Sequence, residues 1–171
     1  MLIRPAVQAD YPAIYELVKT AFQTAKVSDG TEQDFVNVLR ARSTYLPELE
    51  LVAQEDSGAL AGHIMLTRTR LVPDGGEPLP ALMAAPLSVR LEDRGQGLGA
   101  RLLHEGLRRA GEMGFTCVFL MGDPAYYGRF GFRPVTDYGL RNESHAPDQY
   151  VLGRAIVPGA LEGASGGICL E

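Results

Sequence analysis

The stretch that decides the fold runs from residue 87 to residue 103 and reads LSVRLEDRGQGLGARLL. Its first three residues end an almost wholly apolar segment, residues 81–89, which predicts a strand buried on both faces. Its last six residues begin the segment 98–113, whose leucines recur at helical spacing and predict an amphipathic helix. Between the two lies the glycine-rich loop, defined here as residues 94–100. The order strand, glycine-rich loop, helix predicts an α/β domain with a ligand site at the start of the helix.

The loop has the chemistry of a pyrophosphate site. The first backbone N–H groups of a helix have no partner inside the helix, and the helix dipole adds partial positive charge there. Glycine lets the backbone come close to a phosphate and adopt conformations that other residues avoid. Arg94 adds a positive charge at the mouth of the loop. A cofactor with a pyrophosphate group is therefore the ligand we expect.

Two families of proteins use such a loop. Residues 95–100 satisfy G-x-G-x-x-A, the dinucleotide fingerprint, and Asp123 ends the next predicted strand, where a ribose-binding acid is expected. In that family, however, the first glycine follows its strand almost at once, whereas residues 90–94 intervene here. About half of the chain also precedes this unit, which is unusual for a dinucleotide fold. A dinucleotide-dependent enzyme therefore remains the less favoured alternative.

The same segment resembles the acetyl-CoA-binding motif of the GNAT superfamily of N-acetyltransferases, written [QR]-x-x-G-x-[GA]. Arg94, Gly97 and Gly99 occupy its three defining positions, after an apolar-x-Val triplet that ends the strand. Three further segments are similar to the YhbS-like branch of that superfamily, namely LELVAQEDSGALAGHIML, GDPAYYGRFGF and VPGAL. The resemblance runs in register from about residue 2 to residue 161.

The resemblance implies one α/β domain over residues 1–171, with the GNAT acyl-CoA N-acyltransferase fold: a mixed central sheet and about four helices. It implies an acetyl-CoA-dependent N-acetyltransferase that moves an acetyl group to a primary amine, of a small molecule or a peptide, by direct transfer in a ternary complex. Acetyl-CoA is then a co-substrate, and neither a metal nor an acyl-enzyme is expected. A non-catalytic acyl-CoA-binding or sensing domain is the alternative. The resemblance is also compatible with a homodimer.

The resemblance also assigns roles to particular residues. Leu87, Ser88 and Val89 would bind the pantetheine arm through their backbone, and the pyrophosphate would lie on Arg94, Gly95, Gln96, Gly97, Leu98, Gly99 and Ala100. Tyr127 matches the position of the general acid that protonates the departing thiolate, with packing under the cofactor as the alternative. Glu32 is a candidate base or substrate contact, against an ordinary first-turn acid. Acceptor specificity would reside in residues 23–30 and in the loop 72–80.

The rest of the chain predicts elements of a mixed sheet. Residues 2–4, 49–54, 60–70, 116–121 and 150–157 predict strands, residues 124–130 a short helix, and the glycine-rich tail 159–167 a docking strand or a loose end. Asp10 is expected to cap a helix over about residues 11–22. Thr31 is expected to begin a second helix, with Asp34 forming a capping box. His63 is expected to be a core histidine, and Asp123 the cap of the short helix.

Composition excludes several other classes. The chain has 171 residues, of which 46% are apolar and 22% charged, as in ordinary globular proteins, and its net charge is −5. No clustered cationic face is visible, which argues against nucleic acid as a partner. No signal peptide and no apolar run of about 20 residues is evident, so a cytoplasmic protein with no membrane contact is expected. Cys117 and Cys169 are expected to be inert thiols in apolar surroundings.

Overall fold

The computed structural model describes residues 1–26 and 28–171, which form nine strands and four α-helices. The strands are β1 (Leu2–Pro5), β2 (Glu50–Gln54), β3 (Leu60–Leu71), β4 (Leu79–Val89), β5 (Cys117–Met121), β6 (Arg133–Pro134), β7 (Arg141–Asn142), β8 (Val151–Ala155) and β9 (Gly167–Ile168). The helices are α1 (Tyr11–Phe22), α2 (Glu32–Arg40), α3 (Leu98–Glu112) and α4 (Pro124–Tyr127). None of the helices described is both long and apolar enough to cross a membrane.

Seven of the strands form one mixed sheet in the order β1-β2-β3-β4-β5-β8-β6. The pairs β1–β2, β2–β3, β5–β8 and β6–β8 are antiparallel. The pair β4–β5 is parallel, with Leu82 opposite Val118 and Met83 opposite Phe119. This is the mixed central sheet that the sequence predicted. A separate two-stranded sheet pairs β7 with β9 in parallel.

The chain divides into two compact units, and the first comprises residues 1–67 and 85–109. Its core is apolar, as the helical spacing predicted: the residues buried on α1, α2 and α3 include Ile14, Leu17, Val18, Ala21, Val36, Leu39, Leu98, Leu102, Leu103 and Leu107. Two glycines allow α3 to approach β3 closely. A Cβ at Gly62 would lie 2.7 Å from Cδ1 of Leu102, and one at Gly106 would lie 2.9 Å from Cδ1 of Leu66.

The second unit comprises residues 68–84 and 110–171. Phe119 of β5 fills its core, and Gly153 of β8 gives that ring room, because a Cβ there would lie 2.8 Å from it. The end of the glycine-rich tail pairs with β7 of the same chain. It enters β9 and leads to Ile168 and Leu170, both of which are fully buried. The end of the tail is therefore buried in this unit, whereas Gly159, Glu162 and Gly163 are exposed.

The helix caps predicted at Asp10 and Thr31 are wrong in their side-chain detail. The Asp10 carboxylate does not cap α1, because it pairs with Arg4 at 2.7 Å and accepts the N–H of Val7 at 2.8 Å. Thr31 does precede α2, but its hydroxyl donates to Asp29 at 2.6 Å and no capping hydrogen bond forms. In each case a nearby charged group binds the side chain that was expected to cap the helix.

Two burial predictions also need correction. β4 begins earlier than expected, at Leu79, and only residues 81–84 are continuously buried. From there the strand alternates, with Leu87 and Val89 half-buried and Ser88 buried. Cys117 is buried as expected, but Cys169 is exposed, because it lies on the outer side of the segment that follows β9.

Candidate functional site

The glycine-rich loop follows β4 and a short 3₁₀ turn at Leu91–Asp93, and it leads directly into α3. Gly95 and Gly97 have φ angles of 73° and 78°, in the left-handed region that favours glycine. A Cβ at either position would meet no atom within 4 Å. Glycine is therefore required here by backbone conformation, and the loop surface faces open space.

The loop presents a row of backbone donors. Among the described residues, no acceptor is found for the N–H groups of residues 95–100, and the N–H of Arg101 is the first to bond, to the carbonyl of Gly97 at 3.0 Å. Six consecutive unpaired donors at the start of a fifteen-residue helix form a ready anion site. The predicted pyrophosphate cradle is consistent with this geometry.

Arg94 also fixes the loop to its surroundings. Its guanidinium donates to the carbonyl of Ala21 at 2.7 Å, to the Thr24 hydroxyl at 2.8 Å and to the carbonyl of Val89 at 3.3 Å. All three acceptors are uncharged, so the positive charge of Arg94 is not neutralised by a carboxylate within the described residues. Arg94 therefore ties the loop to the end of α1 while it keeps its charge available to an anion.

The end of β4 offers backbone groups on one free side. The N–H of Arg90 donates to the carbonyl of Ala61 on β3 at 2.8 Å. Because hydrogen-bonding groups alternate along a strand, the N–H groups of Leu87 and Val89 point away from β3. The two half-buried residues of the predicted triplet thus carry the backbone donors that an added strand would need.

Tyr127 lies on α4 in the second unit. The helix begins after Asp123, whose carboxylate accepts the N–H of Ala125 at 2.9 Å, so Asp123 is the predicted cap. The Tyr127 ring packs edge-on against Tyr126 and Phe132, at centroid distances of 4.9 and 5.8 Å. Its hydroxyl makes no hydrogen bond with any described residue. Burial raises the pKa of Tyr127 above its usual value of 10, which keeps the phenol protonated at neutral pH.

Close packing fixes the position of the Tyr127 ring. A Cβ at Gly122 would lie 2.5 Å from Cε2 of that ring, so only glycine leaves space for it there. The ring is therefore a packed aromatic group, and its hydroxyl is left for another partner. Both roles that the sequence suggested for Tyr127, packing and proton donation, are compatible with this arrangement.

Glu32 is the first residue of α2. Its Oε2 atom is buried and has no hydrogen-bond partner among the described residues. A first-turn acid is favoured by the helix dipole, but the dipole does not require a carboxylate oxygen to be withdrawn from water. A buried, unpaired carboxylate oxygen favours a cationic partner.

A buried polar cluster, defined here as Arg40, Tyr45, Glu50 and His63, was not predicted as a group. His63 was expected to be a core histidine, and it is fully buried. The Glu50 carboxylate is also fully buried and accepts from His63 Nε2 at 2.9 Å, from the Tyr45 hydroxyl at 2.6 Å and from Arg40 Nε at 3.1 Å. The one signal for it in the sequence is a charged residue inside the apolar run LELVA.

The charge states in the buried polar cluster follow from these contacts. Burial alone would raise the pKa of Glu50, but hydrogen bonds from His63, Arg40 and Tyr45 outweigh it and lower that pKa from 4.5 to about 2. Burial lowers the pKa of His63, and its bond to Glu50 only partly opposes this. The cluster therefore holds an ionised carboxylate beside a neutral imidazole.

Two segments, residues 23–30 and the loop 72–80, were expected to govern acceptor choice. In the segment 23–30, Val27 lies outside the described residues. In the loop 72–80, Asp74 pairs with Arg141 at 3.0 Å, and the N–H of Val72 donates to the carbonyl of Gly167 at 3.4 Å. Within the described part of the chain, no group of three or more His, Cys, Asp or Glu side chains could hold a metal ion.

Comparison with known proteins identifies the family. A mixed sheet whose central strand leads through a glycine-rich anion loop into a helix is the arrangement expected of an acyl-CoA-dependent N-acyltransferase. Residues 2–135 match the acetyltransferase (GNAT) domain family, and the chain belongs to this family. The predicted resemblance and the predicted fold are both confirmed. The family match favours the acetyl-CoA interpretation of the loop over the dinucleotide one.

Several relatives cover nearly the whole chain. It is 34% identical over 166 residues to the uncharacterized N-acetyltransferase YhbS of Escherichia coli K12, which spans 97% of this chain and 93% of the relative. The crystal structure of E. coli YhbS in complex with CoA matches with a TM-score of 0.84 at 32% identity, covering 99% of this chain and 89% of that one. The crystal structure of a GNAT family acetyltransferase from Brucella melitensis in complex with acetyl-CoA matches with a TM-score of 0.72 at 31% identity. The match covers 92% of this chain and 88% of that one.

Proposed function

We propose that this protein is an acetyl-CoA-dependent N-acetyltransferase that moves an acetyl group to a primary amine, of a small molecule or a peptide, by direct transfer in a ternary complex. The observation that carries the proposal is the row of six unpaired amides at the start of α3. Support comes from two structural relatives above 30% identity, one of which holds CoA and the other acetyl-CoA. The net charge of −5 supports an acceptor other than nucleic acid.

Acetyl-CoA would bind along the free side of β4 and the glycine-rich loop. The pyrophosphate would accept hydrogen bonds from the amides of residues 95–100, with the charge of Arg94 nearby. The pantetheine arm would lie beside residues 87–89 at the end of β4 as an added strand, with the N–H group of Val89 as its donor. No metal is needed for either contact.

Acetyl transfer needs a donor for the oxyanion that forms at the thioester carbonyl. Pro86 has no N–H, so the nearest outward-facing donor on β4 is the N–H of Leu87. A fixed backbone donor costs no reorganisation when the charge develops, and losing one such donor costs about 10²–10³-fold in rate. We assign this role to Leu87.

Tyr127 would stabilise the departing thiolate. The pKa of a thiol is about 8.5 and that of a free phenol about 10, and burial raises the pKa of Tyr127 further. Complete proton transfer is therefore uphill by at least about 2 kcal/mol. Tyr127 consequently acts as a hydrogen-bond donor to the thiolate, and the proton that completes CoA comes from solvent.

Glu32 would bind the acceptor. Its buried, unpaired Oε2 atom suits an alkylammonium group, which has a pKa near 10.4 and arrives charged. The amine must lose a proton before it attacks, so a second group has to accept that proton.

We place the reaction in the cytoplasm, where acetyl-CoA is a common metabolite.

An assay of CoA release in the presence of a panel of primary amines tests this proposal. With the best amine, Tyr127→Phe is expected to lower kcat about tenfold or more while the affinity for acetyl-CoA stays the same, because the hydroxyl is required only as the thiolate leaves. Tyr126→Phe is the matched control and should behave as the wild type. Unchanged turnover in Tyr127→Phe would refute the assigned role. Binding without turnover for every amine would favour a sensing domain.

A further inference from the structure

Besides the Glu32 oxygen discussed above, two other buried polar atoms in the first unit have no hydrogen-bond partner among the described residues. They are Nδ1 of His63 and the hydroxyl oxygen of Ser88. His63 is fully buried and Ser88 is 3% exposed. An unsatisfied buried donor or acceptor costs about 1–3 kcal/mol, so two of them on neighbouring strands need a partner such as a water molecule or each other.

The pairing of β3 with β4 brings these two residues together. The strands are neighbours joined by a short connection, which requires an antiparallel pair, since a parallel pair needs a crossover of a dozen or more residues. The N–H of Arg90 donates to the carbonyl of Ala61, and a Cβ at Gly62 would lie 3.3 Å from the carbonyl oxygen of Ser88. Both contacts fit a register with Ser88 directly opposite His63.

Residues directly opposite each other share one face of the sheet, with Cβ atoms about 4.5–5.5 Å apart. No direct hydrogen bond joins the two side chains, since neither atom has a partner, but one water molecule can bridge the Ser88 hydroxyl and Nδ1 of His63. A serine hydroxyl can accept and donate at the same time, whereas an imidazole nitrogen with a free lone pair can only accept. The pair is therefore able to pass a proton from Ser88 to His63.

The buried polar cluster sets the direction of that transfer. The Glu50 carboxylate is ionised and can only accept, so the Nε2 atom of His63 carries the ring proton. The lone pair is consequently on Nδ1. Glu50 itself is held by Arg40 and Tyr45, and the Arg40 guanidinium stacks on the ring of Tyr11 at 3.7 Å. These charged and titratable groups near His63 lie on β2, α1, α2 and the segment after α2.

We propose that His63 is a positioning residue that accepts the proton of the attacking amine through Ser88, with Glu50 holding the imidazole in the required tautomer. This proposal rests on the proposed N-acetyltransferase function. As the amine nitrogen bonds to the acetyl carbon, the C–S bond breaks and CoA leaves as a thiolate. The nitrogen gives its proton to the Ser88 hydroxyl, which gives its own proton to the bridging water, and that water gives a proton to Nδ1 of His63.

The imidazolium formed in this step is stabilised by the Glu50 carboxylate at 2.9 Å. After the amide leaves, His63 returns its proton to solvent, and the thiolate takes one from solvent. The proton of the ammonium form leaves before the attack, so the sum of the steps is an alkylammonium and acetyl-CoA giving an amide, CoA and one proton released to solvent. Ser88 forms no bond to the acetyl group, so the transfer remains direct.

Two substitutions separate this role from a purely structural one. His63→Gln keeps an N–H donor for Glu50 but has no basic nitrogen, and Ser88→Ala removes the hydroxyl that bridges to the ring. The matched control is Thr67→Val, which removes a buried hydroxyl four residues further along β3. Measurements on the full chain are thermal melting, acetyl-CoA affinity by calorimetry, and kcat as a function of pH with the best amine.

We expect His63→Gln and Ser88→Ala to bind acetyl-CoA within about twofold of the wild type. Their kcat should fall on the order of 100-fold, the usual range for loss of a proton acceptor. The rise of kcat with pH that His63 causes should disappear in His63→Gln, while Thr67→Val keeps the wild-type profile. Wild-type kcat and pH profile in His63→Gln would overturn the proposal.

The remaining outcomes are equally decisive. An acetyl group found on Ser88 by mass spectrometry would contradict both the relay and direct transfer. A wild-type protein that binds acetyl-CoA but acetylates no amine would overturn the relay, because it would have no proton to move. Failure of the wild type to bind acetyl-CoA would refute the proposed function itself, and calorimetry reports this result separately from any kinetic effect.

Discussion

The glycine-rich loop and the buried polar cluster are two polar regions of the same unit, and they differ in almost every respect. The loop leaves six backbone amides unpaired and faces open space. The cluster removes Glu50 and His63 completely from water and satisfies the carboxylate with three side chains. The loop is organised to receive a charged ligand, whereas the cluster is organised to hold a charge in place. Open unpaired donors therefore indicate binding, and buried paired ones indicate positioning.

Removing the charge from the cluster should have the largest effect. Glu50→Gln leaves the Arg40 guanidinium, which is only 9% exposed, without its counter-charge. Breaking such a buried pair costs about 3–5 kcal/mol of unfolding free energy. The matched control is Glu105→Gln on α3, whose partners Arg108 and Arg109 are more exposed, and which should cost less than about 1 kcal/mol. Urea unfolding measures both, and equal losses would contradict the distinction between the two regions.

Acid should destabilise the protein through the same cluster. The pKa of Glu50 is lowered from 4.5 to about 2, so its stabilising contribution is complete above 4.5 and is lost as pH falls toward 2. The pKa of His63 is lowered from 6.5, so the unfolded chain binds the extra proton first and stability declines once pH drops below about 6.5. The free energy of unfolding should therefore decrease steadily below that pH. His63→Gln should flatten the upper part of the curve, and a wild-type curve that is flat from 6.5 to 4 would contradict this account.

The glycine-rich loop should show the opposite behaviour, with a small effect on stability and a clear one on binding. Gly97→Ala places a side chain at a φ of 78° and should cost about 1–2 kcal/mol of stability. It should also weaken acetyl-CoA binding at least tenfold, because the amides lose their aligned geometry. Gly163→Ala, at a φ of 65° with equally open surroundings, should cause the same strain but no loss of affinity. Equal acetyl-CoA affinities for the two variants would show that the loop does not bind the cofactor.

The loop could be predicted from the sequence because everything that forms it is local. Strand, glycines and helix follow each other directly between residues 79 and 112, and the leucine spacing of α3 matches its buried side. The buried polar cluster could not be predicted, because it joins positions 40, 45, 50 and 63 across two strands and a helix. The cap predictions at Asp10 and Thr31 were wrong for a related reason. Asp10 and Thr31 have the right residue types, but Arg4 and Asp29 bind their side chains instead.

The measurement that tests the central claim most directly is a calorimetric titration of the protein with acetyl-CoA, CoA and NAD. The account predicts that acetyl-CoA and CoA bind with a Kd near or below roughly 100 μM, about −5.5 kcal/mol, and that NAD does not bind. Binding of NAD without either CoA species would contradict it. The loop would then be a dinucleotide site, and the roles assigned to Leu87, Tyr127 and His63 would be wrong.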